Sequence, residues 1–265
     1  MKSQPGNDSQ LMQRATISKN LKERADANRS YGTNDFEAWV DSLLNRVEFS
    51  TVLDVCCGTG NQLVKYAARN RNATIIGVDL SPASINTAEK RLKALGATAY
   101  KLKAVDMEEL FDDPEISTGS FDLISCFYGL YYSRDTAGTL IQMMDHLSDK
   151  GSILIVGPHG RNNATLFDIV QRHYALPELV IRSATTFMQR EVLPVLSQRL
   201  KISAETFVNP VCYPNTKALI SYWKASTFYS PAHEKEVVRD IEKHVARHGH
   251  FIMEKHVMAY LARKS

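Results

Sequence analysis

Long apolar runs are missing from this chain of 265 residues, although 44% of its residues are hydrophobic. No stretch approaches the roughly 18 apolar residues that a membrane-spanning helix needs. Residues 1–10 are polar and lack the apolar segment of a secretory signal. We therefore expect a protein with no membrane partner, long enough for one substantial core and an appended lid.

Cysteine is also scarce, with four residues at Cys56, Cys57, Cys126 and Cys212. The adjacent pair is poorly placed for a mutual disulfide because of the geometry that such a bond requires. The C-x-x-C spacing typical of zinc sites is missing, so the sequence predicts no metal site. Reduced thiols favour a cytoplasmic location.

Positive charge is only slightly in excess over negative charge, with a net charge of +3. The densest basic stretch lies within residues 90–103, where leucines alternate with lysines and an arginine. This pattern is typical of the exposed face of a helix and a strand. Nucleic-acid-binding proteins usually carry a stronger basic stripe, so we expect no nucleic-acid partner.

Strand-like and helix-like segments alternate regularly between residues 51 and 157. The predicted strands begin near residues 51, 74, 100, 121 and 153, and helical patterns lie between most of them. Such alternation predicts an α/β fold, doubly wound, with a mostly parallel seven-stranded sheet and helices on both faces. Ligands of such sheets bind outside the carboxyl ends of the strands.

The flanking regions differ from this alternating core. Residues 1–50 predict an N-terminal helical cover with a break near Gly32, and residues 51–160 form the core. Residues 161–200 predict a helical lid inserted after strand five. Residues 201–265 then complete the sheet with two further strands, near 202–208 and 250–262.

The segment from Val52 to Asn61 is the most informative part of the sequence. A buried strand that contains Asp54 runs through Cys56 into a turn with Gly58 and Gly60, and a helix follows. Glycines let the backbone approach a ligand closely, and a helix N-terminus favours electron-rich groups. A nicotinamide dinucleotide site would need G-x-G-x-x-G, and this chain has Leu63 at the third position.

Asp79 ends the next predicted strand, 19 residues after Gly60. An acidic side chain at this position can accept hydrogen bonds from both hydroxyls of a ribose. Sites for NAD and for S-adenosylmethionine share this feature. Asp79 alone therefore predicts an adenosyl ligand without choosing between the two.

Taken together, these segments resemble class I, Rossmann-like S-adenosylmethionine-dependent methyltransferases of the small-molecule type. The stretch Leu53-Asp54-Val55-Cys56-Cys57-Gly58-Thr59-Gly60 is similar to the family's first motif, and the resemblance extends over residues 51–157. Cys56 departs from the pattern because the family most often has glycine there. The resemblance implies S-adenosylmethionine as cofactor and S-adenosylhomocysteine as product.

The resemblance also implies roles for individual residues. Asp79 would hold the ribose, Leu80 would lie beside the adenine, and Asp106 and Met107 would flank it. Phe127 would lie under the methionine part of the cofactor, and Tyr31 would close over it. The full set of predicted cofactor residues is Tyr31, Asp54, Cys56, Gly58, Gly60, Asp79, Leu80, Asp106, Met107 and Phe127.

Candidate acceptor residues follow the fourth and fifth predicted strands. His159 has an imidazole that titrates near neutral pH and could act as a general base. Tyr128 and Tyr132 could line the acceptor pocket and exclude water. The sequence predicts a small-molecule acceptor and leaves oxygen, nitrogen and carbon open as the methylated atom; it indicates no oligomeric state.

Two alternatives to this function remain open. A nucleic-acid methyltransferase, acting on RNA, would share the cofactor motifs. The fourth strand, however, lacks the Asn/Asp-Pro-Pro-aromatic ending used on base amino groups. A protein that uses S-adenosylmethionine for chemistry other than methyl transfer would also fit these motifs.

Overall fold

The computed structural model of the protein describes residues 17–264, and two helices precede its first strand. Helix α1 covers Ser18–Tyr31 and helix α2 covers Phe36–Leu44. The chain leaves α1 at Gly32, where the sequence predicts a break. Val40, Leu43 and Leu44 form the buried face of α2 at helical spacing.

Strands and helices then alternate as far as residue 158. The strands are β1 (Thr51–Val55), β2 (Thr74–Asp79), β3 (Tyr100–Ala104), β4 (Phe121–Phe127) and β5 (Leu147–Pro158). The helices are α3 (Asn61–Arg69), α4 (Pro82–Leu95), α5 (Pro114–Ser117) and α6 (Thr136–Asp145). Most residues of β1 and β4 are buried, as in strands that are covered on both faces.

The chain after β5 is mainly helical and returns twice to the sheet. Its helices are α7 (Ala164–Val170), α8 (Glu178–Thr185), α9 (Leu193–Leu196), α10 (Thr216–Lys224) and α11 (Glu234–His248), and its strands are β6 (Lys201–Tyr213) and β7 (Phe251–Arg263). A π-helical segment over Met188–Val192 leads into α9. The helical character predicted for residues 161–200 and the two late strands are confirmed, and β6 extends beyond residue 208, its predicted end.

The seven strands form one sheet in the order β3-β2-β1-β4-β5-β7-β6. β1 pairs in parallel with both β2 and β4, so that Val55 lies opposite Val78 on one side and Cys126 on the other. The chain builds outward from β1 to β3 and then returns to β4. The topological switch point therefore lies between β1 and β4, and the predicted doubly wound α/β fold is confirmed.

Contacts divide the described chain into two compact units. The core unit comprises residues 40–157, 187–205 and 258–264, and the second unit comprises residues 17–39, 158–186 and 206–257. The apolar centre of the core unit includes Leu53, Ile124 and Ile153. The apolar centre of the second unit includes Trp223 and Phe251.

Helix α4 illustrates how local sequence fixes an element that positions the site. The Ser81 hydroxyl accepts a hydrogen bond from the Ser84 N–H at 3.3 Å, and Pro82 occupies the first turn. Gly96 ends the helix with a left-handed backbone, φ 76°. These caps define the start and end of the helix, and the start fixes the backbone directly after Asp79.

The segment 148–150 lies inside β5, although the sequence places the start of this strand near residue 153. The ladder between β4 and β5 has an irregular register at its start, where Phe121 pairs with Leu147. Such an irregularity accommodates extra residues within a strand. The strand consequently begins six residues earlier than its apolar pattern indicates.

Among the described residues, the helices are all too short or too polar to cross a lipid bilayer.

Candidate active site

The turn after β1 contains three residues with left-handed backbone, namely Cys56, Gly58 and Gly60, with φ of 60°, 54° and 80°. A Cβ on Gly60 would lie 2.8 Å from the Cβ of Ala88, so glycine also permits close packing of α3 on α4. A Cβ on Gly58 would meet no atom within 4 Å. Gly58 therefore presents bare backbone toward open space, as a close ligand requires.

Asp79 lies beside this bare backbone. Its Oδ2 accepts a hydrogen bond from the Gly58 N–H at 2.9 Å, and its Oδ1 accepts one from the Ser81 N–H at 2.9 Å. Burial raises the pKa of Asp79 above its ordinary value, and these two bonds act against that effect. The carboxylate is thus fixed in place while each oxygen keeps a lone pair for a further donor, such as a ribose hydroxyl.

Asp54 lies inside β1 and is 1% exposed. Its Oδ1 accepts a hydrogen bond from the Ser125 hydroxyl at 2.7 Å, and that hydroxyl accepts one from Tyr66 at 2.9 Å. Its Oδ2 is buried and has no partner in the described structure. Burial raises the pKa of Asp54 to about 7, so a nearby donor or cation would strongly favour its ionised form.

The residues predicted to surround the adenine follow β2 and β3. Leu80 is 47% exposed, so its side chain is accessible to a ligand. Asp106 accepts a hydrogen bond from the Glu108 N–H at 3.1 Å and lies 3.4 Å from the Arg134 guanidinium. Met107 packs against the apolar core. A contact between Asp106 and an adenine amino group stays a prediction.

The end of β4 carries a second strained residue. Tyr128 has φ 56° and is 38% exposed, and its N–H donates to the Val156 carbonyl at 2.9 Å. A Cβ on the following residue, Gly129, would lie 2.3 Å from the Cβ of Cys56. Two non-glycine residues in the left-handed region thus end adjacent strands, and such strain clusters at functional sites.

Tyr132, the other tyrosine predicted to line the acceptor pocket, lies shortly after Tyr128 in the chain. Tyr132 ends a short 3₁₀ turn, Leu130–Tyr132, and its ring centroid lies 4.7 Å from that of Tyr131. Phe127 is half-buried at the end of β4. These side chains belong to the same strand edge as the glycine turn, which is where the sequence places the cofactor and acceptor.

The cysteines near the turn are suited to packing. A contact with Cys126 and burial raise the pKa of Cys56 well above its ordinary value, and burial does the same for Cys57. Such thiols stay protonated at neutral pH and are poor nucleophiles. Within the described residues, no cluster of side chains has the composition of a metal site.

His159, the predicted base, belongs to the second unit. Its backbone N–H donates to the His256 carbonyl at 3.1 Å. Both nitrogens of its imidazole ring are buried without a partner in the described structure. Burial lowers the pKa of His159, and His256, with ring centroids 6.1 Å apart, lowers it further. A neutral imidazole of this kind can accept a proton.

Tyr31, the predicted cover over the cofactor, ends α1 in the second unit. Its ring packs against that of Tyr213 at 5.5 Å. All other predicted cofactor residues belong to the core unit. The roles of Tyr31, His159, Tyr128 and Tyr132 remain predictions.

Several residues of this region were not predicted from the sequence. Gly129, Ser125 and Arg134 support the strand edge through the contacts described above. Gly129 could have been found, since a glycine directly after a strand is the same signal that identifies Gly58. Ser125 and Arg134 act through tertiary contacts that no local pattern indicates.

The basic stretch at residues 90–103 is neutralised by its surroundings. Lys93 pairs with Glu89 at 2.8 Å, Lys103 pairs with Asp113 at 2.7 Å, and Lys101 pairs with Glu115. Arg91 donates to the Thr59 carbonyl at 3.0 Å. This stretch is thus a paired, mostly exposed face, as predicted.

Comparison with known proteins adds to this geometry. A family described as "Methyltransferase domain" matches residues 48–264. A ubiquinone biosynthesis O-methyltransferase of Paracidovorax citrulli is 30% identical over 139 residues, which cover 52% of this chain and 56% of that protein. A malonyl-[acyl-carrier protein] O-methyltransferase of a Paenibacillus species is 28% identical over 207 residues, 76% of this chain and 67% of that protein.

One solved structure shows the similarity in three dimensions. The O-methyltransferase from a trans-AT PKS multienzyme of Brevibacillus brevis, in complex with S-adenosyl-L-homocysteine, has a TM-score of 0.51 and 16% identity. The match covers 86% of this chain and 71% of that chain. The chain spans about half the length of several curated relatives that it matches.

Proposed function

The chain belongs to the methyltransferase domain family, of the class I S-adenosylmethionine-dependent type, and on that premise we propose that it transfers a methyl group from S-adenosylmethionine to a small-molecule acceptor. The observation that carries this proposal is the bare backbone of Gly58 beside the fixed carboxylate of Asp79. Gly58 follows β1 and Asp79 ends β2 at the carboxyl edge of the sheet, next to the switch point where this fold binds its ligands.

The residues at the switch point fit the cofactor. Asp79 would hold the ribose hydroxyls, Gly58 would let the backbone approach the ligand, and the exposed Leu80 would lie against the adenine. The unpartnered Oδ2 of Asp54 would face a donor or cation of the ligand's amino-acid part. A carboxylate that is half-neutral when empty would ionise on meeting such a cation.

The chemistry of the cofactor sets the task of the protein. S-adenosylmethionine supplies an already activated methyl group on a sulfonium. The protein must therefore hold the acceptor in line with the carbon–sulfur bond and exclude water. Tyr128 and Tyr132 would exclude water, and His159 would take the proton that an acceptor hydroxyl loses.

An oxygen acceptor is the form of this proposal that the relatives support. The two relatives described above are named as O-methyltransferases. A hydroxyl acceptor releases a proton on methylation, whereas a carboxylate needs no base. The low pKa of His159 suits proton removal near neutral pH, because the imidazole is then mostly neutral.

Calorimetry with the full chain tests the cofactor assignment. We expect S-adenosylhomocysteine to bind with one site per chain, and radiolabelled S-adenosylmethionine to transfer its methyl group to small hydroxylated or carboxylated acceptors. Binding of a nicotinamide or flavin nucleotide, without binding of S-adenosylmethionine or its product, would contradict the proposal.

A further inference from the structure

Lys255 is a cation buried in the second unit without an acidic partner. It lies on β7 and is 8% exposed. Its Nζ donates to the Asn163 Oδ1 and to the Tyr222 hydroxyl, lies 3.9 Å from the Met253 sulfur, and sits 4.1 Å from the centroid of the Tyr222 ring. Every one of these partners is neutral.

A second cation lies close to the first. Burial lowers the pKa of Lys255 well below its ordinary range, and Arg24 on α1 lowers it further, so the two positive groups oppose each other. Arg24 itself donates to the Asn20 carbonyl. Among residues 17–264, neither Lys255 nor Arg24 forms an ion pair with a carboxylate. Buried lysines are almost always paired, so a counter-charge is missing here.

Hydroxyl groups complete the cluster. Tyr213 is fully buried, and its hydroxyl has no hydrogen-bond partner among the described residues. Its ring lies 5.8 Å from that of Tyr222 and 5.5 Å from that of Tyr31. An unpartnered buried hydroxyl is unfavourable unless a ligand or water satisfies it.

Asn163, one of the hydrogen-bond partners of Lys255, has an uncommon backbone conformation. It has a left-handed backbone with φ 62° and is 7% exposed. Its N–H donates to the Glu254 carbonyl at 3.0 Å, directly beside Lys255 in the chain. Strain at a buried polar residue is maintained where the surroundings over-determine it, often at a ligand site.

We infer that Lys255, Tyr222 and Tyr213, with Arg24 beside them, bind the carboxylate group of a small organic acid within the second unit. A carboxylate supplies the missing negative charge and has acceptor positions for both the ammonium and the free hydroxyl of Tyr213. The expected ligand class is thus an organic acid.

Proton uptake distinguishes this role from a structural one. The titratable or charged groups near the Lys255 amine are Tyr222 on α10, Arg24 on α1, and Tyr213, whose ring packs against those of Tyr222 and Tyr31. Asn163 and Met253 are neutral. Burial and Arg24 lower the pKa of Lys255, and an entering carboxylate favours the ammonium form, so carboxylate binding should be accompanied by proton uptake. A lysine with only a structural role would give no such uptake.

The experiment is calorimetry on the full chain saturated with S-adenosylhomocysteine, in two buffers of different ionisation enthalpy. The probes are 4-hydroxybenzoate and succinate, each compared with its amide, 4-hydroxybenzamide and succinamide, and inorganic phosphate. We expect at least one carboxylate to bind about tenfold or more tightly than its amide and more tightly than phosphate, with proton uptake. Failure of both carboxylates to do so, or tighter binding of phosphate, overturns the inference.

Variants assign the effect to the cluster. Lys255→Met should weaken carboxylate binding about tenfold or more and abolish the proton uptake. Lys235→Met, at an exposed position on α11, should change neither. Tyr213→Phe removes only the free hydroxyl, should fold normally, and should weaken carboxylate binding about threefold to tenfold. Unchanged carboxylate affinity in folded Lys255→Met or in Tyr213→Phe contradicts the inference.

The cofactor measurements separate the two proposals. We expect S-adenosylhomocysteine to bind Lys255→Met as it binds the wild type, since the predicted ribose and backbone contacts belong to the core unit. If the wild type binds S-adenosylhomocysteine but prefers no carboxylate, only the present inference fails. If it binds neither cofactor form, the proposed function fails.

Discussion

The two units of this protein treat buried polar groups in opposite ways. In the core unit, backbone N–H groups hold both oxygens of Asp79, and Ser125 holds one oxygen of Asp54. In the second unit, both ring nitrogens of His159 and the hydroxyl of Tyr213 are buried without partners in the described chain. In the described chain, the core unit leaves only the Asp54 Oδ2 and the Gln62 Oε1 buried without a partner, and the second unit leaves more such atoms.

This difference follows from what each unit would bind. The predicted cofactor contacts need a rigid cradle, which main-chain donors supply at low entropic cost because the loop already fixes them. The acceptor contacts need donors and a base that the ligand itself completes. Substitutions of Asp79 and Gly58 in the core unit should therefore change cofactor affinity, and substitution of His159 in the second unit should change turnover.

His159→Ala should produce the largest effect. If His159 removes the acceptor proton, turnover should fall by about 10²–10⁴-fold, which is roughly 3–5 kcal/mol, while affinity for S-adenosylhomocysteine is unchanged. In the wild type, the acid limb of the turnover profile should lie below pH 6.5, since burial and His256 lower the pKa of His159 from 6.5.

Turnover measured with His250→Asn, an exposed histidine of the same unit, gives the matched control. Full activity in His159→Ala would remove this residue from the reaction. Loss of cofactor affinity in that variant would contradict the expectation that His159 affects turnover and not cofactor binding.

Asp54 should give the next largest effect, which is on stability. Its Oδ2 is buried in the core unit without a partner in the described structure. Its pKa is about 7 in the folded protein against 3.8 in a model peptide. The native state keeps a proton that the unfolded state loses, so stability should fall as the pH rises from about 4 to 7. The loss is at most about 4 kcal/mol. Urea unfolding across this range should show a flatter profile for Asp54→Asn; parallel profiles would contradict the assignment.

Alanine substitutions at the two glycines of the turn should affect stability and cofactor affinity to different extents. Gly60→Ala combines left-handed strain with a Cβ 2.8 Å from Ala88 and should lower the free energy of unfolding by about 2–4 kcal/mol. Gly58→Ala has strain but open space and should lower it by only about 1–2 kcal/mol.

Affinity for S-adenosylhomocysteine completes this comparison. It should fall about tenfold or more in Gly58→Ala, because the methyl group enters the ligand's space. Chemical denaturation and calorimetry on the two variants measure both quantities. An equal loss of stability in the two variants would show that the space above Gly58 is not free.

Asp79→Asn should have the smallest effect, weakening cofactor binding by about 1–3 kcal/mol. One oxygen becomes an amide that cannot accept, while the side chain keeps its volume. Calorimetry with S-adenosylhomocysteine measures the change, and Asp112→Asn, at an exposed position, serves as control. Affinity equal to that of the wild type would exclude Asp79 from the ribose contact.

The core unit was predictable because its information is local. A buried strand, a glycine turn and a capped helix each have a sequence pattern, and their order predicted the sheet and the position of Asp79. Residues 148–150 were not predicted to belong to β5, because a Ser-Asp-Lys-Gly run is typical of a turn. Pairing with β4 on either side of the run, at Leu147 and Ser152, instead keeps it within β5 as an irregular segment.

The polar cluster of the second unit was not predictable in this way. Lys255 lies in a stretch of β7 whose neighbours Glu254 and His256 are also polar, so no pattern marks it as buried. Its contacts join residues that lie 33 and 92 positions away. Such contacts follow from tertiary packing, and a single sequence gives no local signal for them.

The contact between Cys56 and residue 129 constrains how this sequence can change over generations. While position 56 carries a side chain, a Cβ at position 129 would lie only 2.3 Å from its Cβ, so glycine is obligatory there. A lineage that first acquired glycine at 56 would avoid this clash, because a Cβ at 129 would then lie 3.5 Å from the Cys126 Sγ, an ordinary contact distance. The reverse order would pass through a clashing intermediate, and the history of these two positions therefore has a direction.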